Sequence, residues 1–284
     1  MQHERTTGRS IATRLGHGLR RTVTAVSLLV APWPVLGAQD AGAPLPFGIG
    51  EELRYQVTAG RWGRVGRGTM SVEGPEDVRG HRALLLRFEV RGRIGPVSVV
   101  NRTDSWVTPS PLASLRFSKY ERQFIHRRDE RVEIFPPDQR WRSHGDVGDA
   151  GEAGEAGAAG DGGTTPTDAP LDELSFIYFL RTLPLSLHER HSLSRHFRAE
   201  RNPVEVTVLG REVITVPAGV FATVVVEMRV KDRRHYDREG VLRLHLTDDR
   251  AHVPVRIETA MPVVGTTVLV LESRRDGATT VVGR

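Results

Sequence analysis

Apolar and polar residues alternate along most of the chain. From Glu52 to Ala59, Leu53, Tyr55, Val57 and Ala59 share one face and Glu52, Arg54, Gln56 and Thr58 the other, which is the period of a half-buried strand. The pattern returns at Met70 and Val72, at Leu84, Leu86, Phe88 and Val90, at Leu115 and Phe117, and at Val132 and Ile134. Gly74-Pro75 and Gly95-Pro96 read as turns between runs. Later, Val204, Val206 and Val208 alternate, Glu212–Val216 and Phe221–Val230 form a hairpin about Pro217-Ala218-Gly219, and Leu242, Leu244 and Leu246 precede a turn at Asp248-Asp249-Arg250. Val253, Val255 and Ile257 follow, and Thr266–Glu272, apolar on both faces, reads as a central or covered strand. Strands with one wet face belong to antiparallel sheets, and roughly a dozen of them make a meander.

One stretch breaks the period. Leu171 to Leu185 is apolar on nearly every side at Phe176, Ile177, Tyr178, Phe179 and Leu180, with Asp172 and Glu173 in the first turn and Pro184 as a stop. This predicts a buried helix held by tertiary packing, since a lone helix of this length is marginal in water. Before it, residues 145–170 are Gly, Ala and acid-rich and read as a flexible loop inserted within one sheet. After it, His188 to Arg201 reads as a polar connection.

The pattern predicts a mainly β fold: an antiparallel curved sheet, an incomplete or open barrel, with one principal helix (Leu174–Leu183) on its apolar face. Residues 1–38 read as a cleaved export signal, with basic residues up to Arg20-Arg21, an apolar run from Val23 to Val30 and small residues near Ala38. That run is shorter than the roughly 20 residues a membrane span requires, so no transmembrane segment is expected in the mature chain. The Arg pair leaves general secretion and twin-arginine export open. Residues 39–48 form a lead-in, 49–274 a single domain and 275–284 a tail.

Composition narrows the function. The net charge of +5 invites a nucleic-acid reading, but Arg5, Arg9, Arg14, Arg20 and Arg21 against Glu4 place +4 of it in the first 38 residues. The remainder interleaves Arg with Glu and carries no basic patch, so no nucleic-acid partner is expected. The chain has no cysteine, which removes thiol nucleophiles, disulfides and thiolate metal sites.

Candidate chemistry is sparse. His245, Asp248, Asp249 and His252 carry ligand-type side chains at the spacing H-x-x-D-D-x-x-H, yet an Asp pair at a hairpin turn is favoured for its own backbone hydrogen bonds. Arg181, mid-helix, is expected to pair with Asp248 or Asp249; a ligand carboxylate or phosphate and snorkelling to water are the alternatives. Gly60-Arg61-Trp62 imitates a lipocalin-type G-x-W but reads as a turn Trp packed on the sheet. Gly63, Gly66 and Gly68 lack the Lys-Ser/Thr of a phosphate loop, and no hydrolase elbow or zinc-protease motif occurs. No cofactor is expected.

Four pieces in order carry a resemblance: GEELRYQVTAG…GRGTMSVEG, LDELSFIYFLRTLPL, VLGREVITVPAGVF and LRLHLTDDRAHVPVRIE. Together, over Ile49 to Ser273, they resemble the bacterial domain of unknown function 3108 family, with its Gly-Glu-x-Leu-x-Tyr opening, aromatic helix, Pro-Ala-Gly turn and Thr-Asp-Asp-x-x-x-x-Pro segment. The resemblance implies an envelope location, periplasmic or at the outer membrane, and a β-rich fold, and carries no activity over. The long acidic Gly/Ala insertion departs from the family pattern. More loosely, the late strand–Asp turn–Pro strand is similar to the lipoprotein-carrier class, whose fold is an incomplete barrel with helices across the open side.

The leading expectation is therefore a non-enzymatic envelope protein that binds a lipid-like molecule or an apolar segment of a protein partner. The expected lining is Leu53, Tyr55, Leu86, Phe88, Val224, Val226, Leu244 and Ile257 from the sheet and Phe176, Tyr178 and Phe179 from the helix, with Arg181 at the rim. The alternatives are a structural or interaction protein of the envelope with a filled core, and a metal-dependent hydrolase built on His245 and its neighbours.

Overall fold

The computed structural model describes residues 44–123, 126–144, 162–231, 239–261 and 265–278. The expected signal (1–38) and residues 145–161 of the expected loop lie outside these. Among the described residues fourteen strands run in chain order: β1 (Glu52–Ala59), β2 (Arg64–Val78), β3 (His81–Ile94), β4 (Val97–Pro109), β5 (Leu112–Gln123), β6 (His126–Phe135), β7 (Arg140–His144) and β8 (Gly162–Thr164), then helix α1 (Glu173–Leu180), then β9 (Arg190–Leu193), β10 (Val204–Val216), β11 (Gly219–Lys231), β12 (Glu239–Thr247), β13 (Pro254–Met261) and β14 (Gly265–Arg275). They form one antiparallel sheet in the order β8-β7-β6-β5-β4-β3-β2-β1-β14-β13-β12-β11-β10-β9. β1 and β14 pair with each other, so the two halves of the meander join near the middle. The sheet does not close, because β8 and β9 are its two edges. This is the open, barrel-like architecture with one helix that the alternation predicts.

Between the edges the chain is strapped by backbone hydrogen bonds from Leu171 N to Arg195 O and from Phe197 N to Leu171 O. Phe197 then packs with Phe117, Val132, Ile134 and Trp141 in a small second core.

Helix α1 starts at a capping box. The Asp172 carboxylate accepts from the Leu174 and Ser175 amides, and the Ser175 hydroxyl accepts from the Asp172 amide. The Asp172 carboxylate also accepts from Ser114 at 2.7 Å and from Ser105, on β5 and β4, so the cap fastens the helix to the inner face of the sheet. The helix is shorter than expected, since Arg181 to Leu183 continue only as single turns before Pro184. All of its residues are buried except Glu173 and Ile177, which lie one turn apart on one side. An all-round apolar helix is thus enclosed, as its composition requires.

The glycines of β2 and β3 have a steric reason. Gly66 and Gly92 are directly opposite each other, and a Cβ on Gly92 would sit 2.4 Å from the Val65 carbonyl oxygen. Only glycine permits so close an approach of the two backbones, which is how a sheet bends sharply.

Three local expectations are corrected. Gly74-Pro75 is not a turn but an irregularity inside β2, where the register shifts between Glu73 and Glu76. The end of the expected flexible loop, residues 162–170, contains β8 and the buried Thr165. The polar stretch after the helix contains edge strand β9, which buries His191 and Leu193.

Candidate functional site

Arg181 is 1% exposed and sits at the core of the helix C-terminus rather than at a rim. Its guanidinium donates to both oxygens of Glu51, at 2.7 and 2.9 Å, and to the carbonyls of Ala251 and Pro46, at 3.1 and 3.2 Å. The Phe47 and Tyr178 rings flank it at 5.2 and 5.5 Å. A buried planar fork with every charge matched is a structural clamp. The expected partners are therefore corrected: Asp248 pairs with Arg211 at 2.9 Å, and Asp249 caps its own turn, accepting from Thr247 Oγ1 and the Ala251 and His252 amides. Spacing carries no sign of Glu51, which stands outside the alternating run; its only mark is the opening Gly-Glu-x-Leu-x-Tyr motif, where it is Gly50's neighbour.

The four candidate ligands do not converge. His252 Nδ1 lies 3.0 Å from the Arg181 carbonyl, at the clamp. His245, on β12, is buried between Glu212, 2.9 Å from Nδ1, and Glu258, 3.8 Å from Nε2, with carboxylates on opposite sides of one ring. Burial lowers its pKa and favours the neutral imidazole. Among the described residues no group of three His, Asp or Glu side chains is placed to hold a metal ion.

The expected lining divides in two. Tyr55, Leu86, Tyr178, Val224, Val226 and Leu244 have no exposed surface, and Leu53, Phe176, Phe179 and Ile257 have 5% or less. These side chains fill the deep interior against one another. Tyr55 donates to the Pro254 carbonyl at 2.8 Å, which satisfies the buried hydroxyl without a ligand. Only Phe88 of the set is half-buried.

Phe88 marks a gradient. The turns joining β2 to β3, β4 to β5, β10 to β11 and β12 to β13 lie at one end of the sheet, and residues 44–51 and the Arg181 clamp close that end. At the other end, burial falls off in step along the inner face. It goes from Leu86 to half-buried Phe88 and Val90 on β3, from Val226 through Met228 to half-buried Val230 on β11, and from Leu244 to half-buried Leu242 on β12. All of these pack against the main core. Ile177 and Glu173 are the two half-buried positions of α1.

The inner face at this end is polar on β4 to β6. Thr103 stands opposite Lys119, Asn101 opposite Glu121, and Lys119 opposite Glu130. Asn101 donates to Glu121 at 3.2 Å, Lys119 lies 3.2 Å from Glu121, and Arg201 pairs with Glu173. Burial raises the Glu173 pKa, but Lys119, Arg201 and His196 together bring it well below the ordinary carboxylate range. None of Asn101, Lys119, Glu121 or Arg201 stood out in the sequence, where each reads as an ordinary solvated polar position, and Glu173 was legible there only as a first-turn acid of the helix.

The fold and site define a class, an open barrel-like β protein whose deep interior is plugged by a helix and whose inner face is incompletely covered at one end. The chain belongs to the domain of unknown function 3108 family (Protein of unknown function, DUF3108), whose model matches residues 54–272. No curated protein matches it. Among solved structures it is similar to a beta-barrel-like protein of the domain of unknown function 1849 from Brucella abortus, at 9% identity and a TM-score of 0.52, over 83% of this chain and 100% of that one. An exported protein with a YmcC-like fold from Bacteroides fragilis NCTC 9343 aligns at 10% identity and a TM-score of 0.29, over 83% and 100%. A lipoprotein from Parabacteroides distasonis ATCC 8503 aligns at 9% and 0.28, over 82% and 99%. The first likeness concerns the fold alone. Among the described residues no helix is long and apolar enough to cross a membrane.

Proposed function

We propose that this is an exported envelope protein that binds a lipid-like molecule without chemically altering it, at the partly covered end of the inner face rather than between helix and sheet. The observation that carries the reading is the stepwise loss of burial through Phe88 and Val90, Met228 and Val230, and Leu244 and Leu242, on three strands facing one interior. Half-covered apolar side chains on an inward face gain free energy when an apolar chain covers them, at about 25 cal/mol per Å² removed from water. The filled deep interior limits how far such a chain can enter. Export is supported by the basic, apolar and small-residue order of residues 1–38.

The test is twofold. Protein purified without detergent is extracted and the extract analysed by mass spectrometry, and uptake of the apolar dye 1-N-phenylnaphthylamine is followed by fluorescence. Stoichiometric lipid, or saturable dye uptake lost in Phe88→Asp and Leu242→Asp variants that melt like the parent, supports binding. Lipid-free protein that takes up no dye favours the second reading, an interaction protein of the envelope with a filled core, which the complete burial of α1's aromatic side chains supports.

A further inference from the structure

The outer face at the partly covered end carries a row of like charge. Arg67 stands opposite Arg91, Arg91 opposite Val100, Val100 opposite Arg122, and Arg122 opposite Arg127. Directly opposed residues share a face with Cβ atoms about 5 Å apart, so these arginines on β2, β3, β5 and β6 form one band. Arg93, opposite Ser98, lies one step further out on the same face. One step towards the middle the charges are mixed again, with Glu89 opposite Arg102 and Asp129 opposite Tyr120. Arg128 stands opposite Glu121, one position off the band.

All four arginines of the band are exposed, and carboxylates reach only two of them. Glu89 holds Arg91, and Glu272 is 3.9 Å from Arg67. Among the described residues Arg122 and Arg127 have no carboxylate partner, and Arg127 lies over the Tyr120 ring at 5.6 Å. The turns supply no acid either: residues 59–65, 93–98 and 122–127 contain neither Asp nor Glu. Like charges directly opposite each other are unfavourable in the isolated sheet, and an anionic layer over them reverses the sign. The expectation of no basic patch is thus corrected. Arg and Glu do interleave along the chain, but strand register gathers arginines from four strands into one row.

Beside the band the turn after β1 projects an indole. Trp62 is 47% exposed, with the Arg61 guanidinium over its ring at 5.3 Å and Gly95 of the β3–β4 turn beside it. An exposed Trp next to arginines suits the headgroup layer of a membrane, where the ring sits at the interface and guanidinium groups meet phosphates.

We propose that this end docks on a bilayer surface of anionic phospholipid, through the arginine band and Trp62. Each arginine close to such a surface strengthens binding about fivefold, and the attraction decays within a Debye length, about 10 Å at 0.1 M salt. The band is on the outer face, so docking is a separate property from apolar binding on the inner face.

The test is flotation with vesicles of phosphatidylcholine alone and of equal parts phosphatidylcholine and phosphatidylglycerol, in low and high salt. Residues 39–284, a compact unit in themselves, are used, because residues 1–38 carry a net charge of +4 of their own. Binding is expected on the mixed vesicles in low salt, and neither on phosphatidylcholine nor in high salt. Arg122→Ser combined with Arg127→Ser should weaken it about twenty-five-fold, while Arg250→Ser, in the turn joining β12 to β13, should change it little. Removing two opposed cations relieves repulsion, so the double variant should melt no lower than the parent. Tryptophan emission should shift to the blue on the mixed vesicles, and the shift should be lost in Trp62→Phe. No flotation, equal binding to both vesicles, or full binding by the double variant overturns the proposal. Tighter binding of duplex DNA than of the mixed vesicles also overturns it and assigns the band to nucleic acid. Uptake of 1-N-phenylnaphthylamine should be unchanged in the double variant, so docking and apolar binding can fail separately. Should the double variant not fold, the lipid and salt dependence of the parent decides.

Discussion

Arg181 and Glu51, 130 residues apart in the chain, meet through two hydrogen bonds of 2.7 and 2.9 Å with essentially no solvent around either side chain. Burying such a pair costs desolvation that only matched geometry offsets, so removing one partner leaves an uncompensated charge in the core. Arg181→Met and Glu51→Gln are each expected to destabilise the protein by about 3–5 kcal/mol in urea unfolding. The double variant should cost less than the sum of the two. Strict additivity in that cycle would rule out the clamp as described.

Adjacent carboxylates at the start of α1 should titrate with opposite effects. Burial raises Asp172 from 3.8 to about 6, although hydrogen bonds from Ser105, Ser175 and Ser114 oppose the shift. The folded state holds that proton more tightly, so this group's contribution is largest in acid and is lost as pH rises from 3.8 through about 6. The stability difference between the parent and Asp172→Asn should change across that window and be flat above it. Glu173 is shifted the other way, so its contribution is present above 4.5 and is lost as pH falls below that value. Glu173→Gln should remove part of the acid sensitivity. Unfolding curves at several pH values, parent against each variant, check both signs.

The gradient of burial along the inner face separates stability from binding. Phe176, 1% exposed, should cost about 3–5 kcal/mol when changed to Ala, because it leaves a cavity under the helix. Half-buried Phe88→Ala should cost clearly less in denaturant unfolding, while weakening dye uptake several-fold. A Phe88 loss as large as that of Phe176 would mean that the covered interior extends to this end.

Gly92→Ala brings a Cβ within 2.4 Å of the Val65 carbonyl, a contact that cannot be relieved by side-chain rotation. Pushing β2 and β3 apart should destabilise by about 2 kcal/mol or more. Gly210→Ala, a position where the added Cβ has open space, is the matched control and should be nearly neutral.

Much of the fold was legible because most strands bury one face, and Leu53, Tyr55 and Val57 or Leu84, Leu86 and Phe88 advertise it. β4 was silent because its inward positions are Asn101, Thr103 and Ser105, which serve the polar chain and the helix cap while Val100 and Trp106 point outward. Gly74-Pro75 misled because punctuation residues also mark irregularities within strands. The aromatic lining of the deep core was readable, but whether it enclosed space was not, since that depends on how side chains from distant strands interlock. The polar chain was hidden for the same reason: Asn101, Lys119, Glu121 and Glu173 acquire meaning only through the register of β4 with β5 and the placement of α1.

The Arg181 clamp has a geometric corollary. It ties down the segment around Pro46 and Glu51, and the stretch after β14 returns to the same place, where Ala278 donates to the Ile49 carbonyl and Gly277 packs against the Gly48 backbone. The first and last described residues therefore meet at one pole, while the half-covered apolar positions lie at the other. A spectroscopic label placed at residue 44 or 278 is therefore expected to report on the clamped pole and to be insensitive to changes at Phe88 or Leu242.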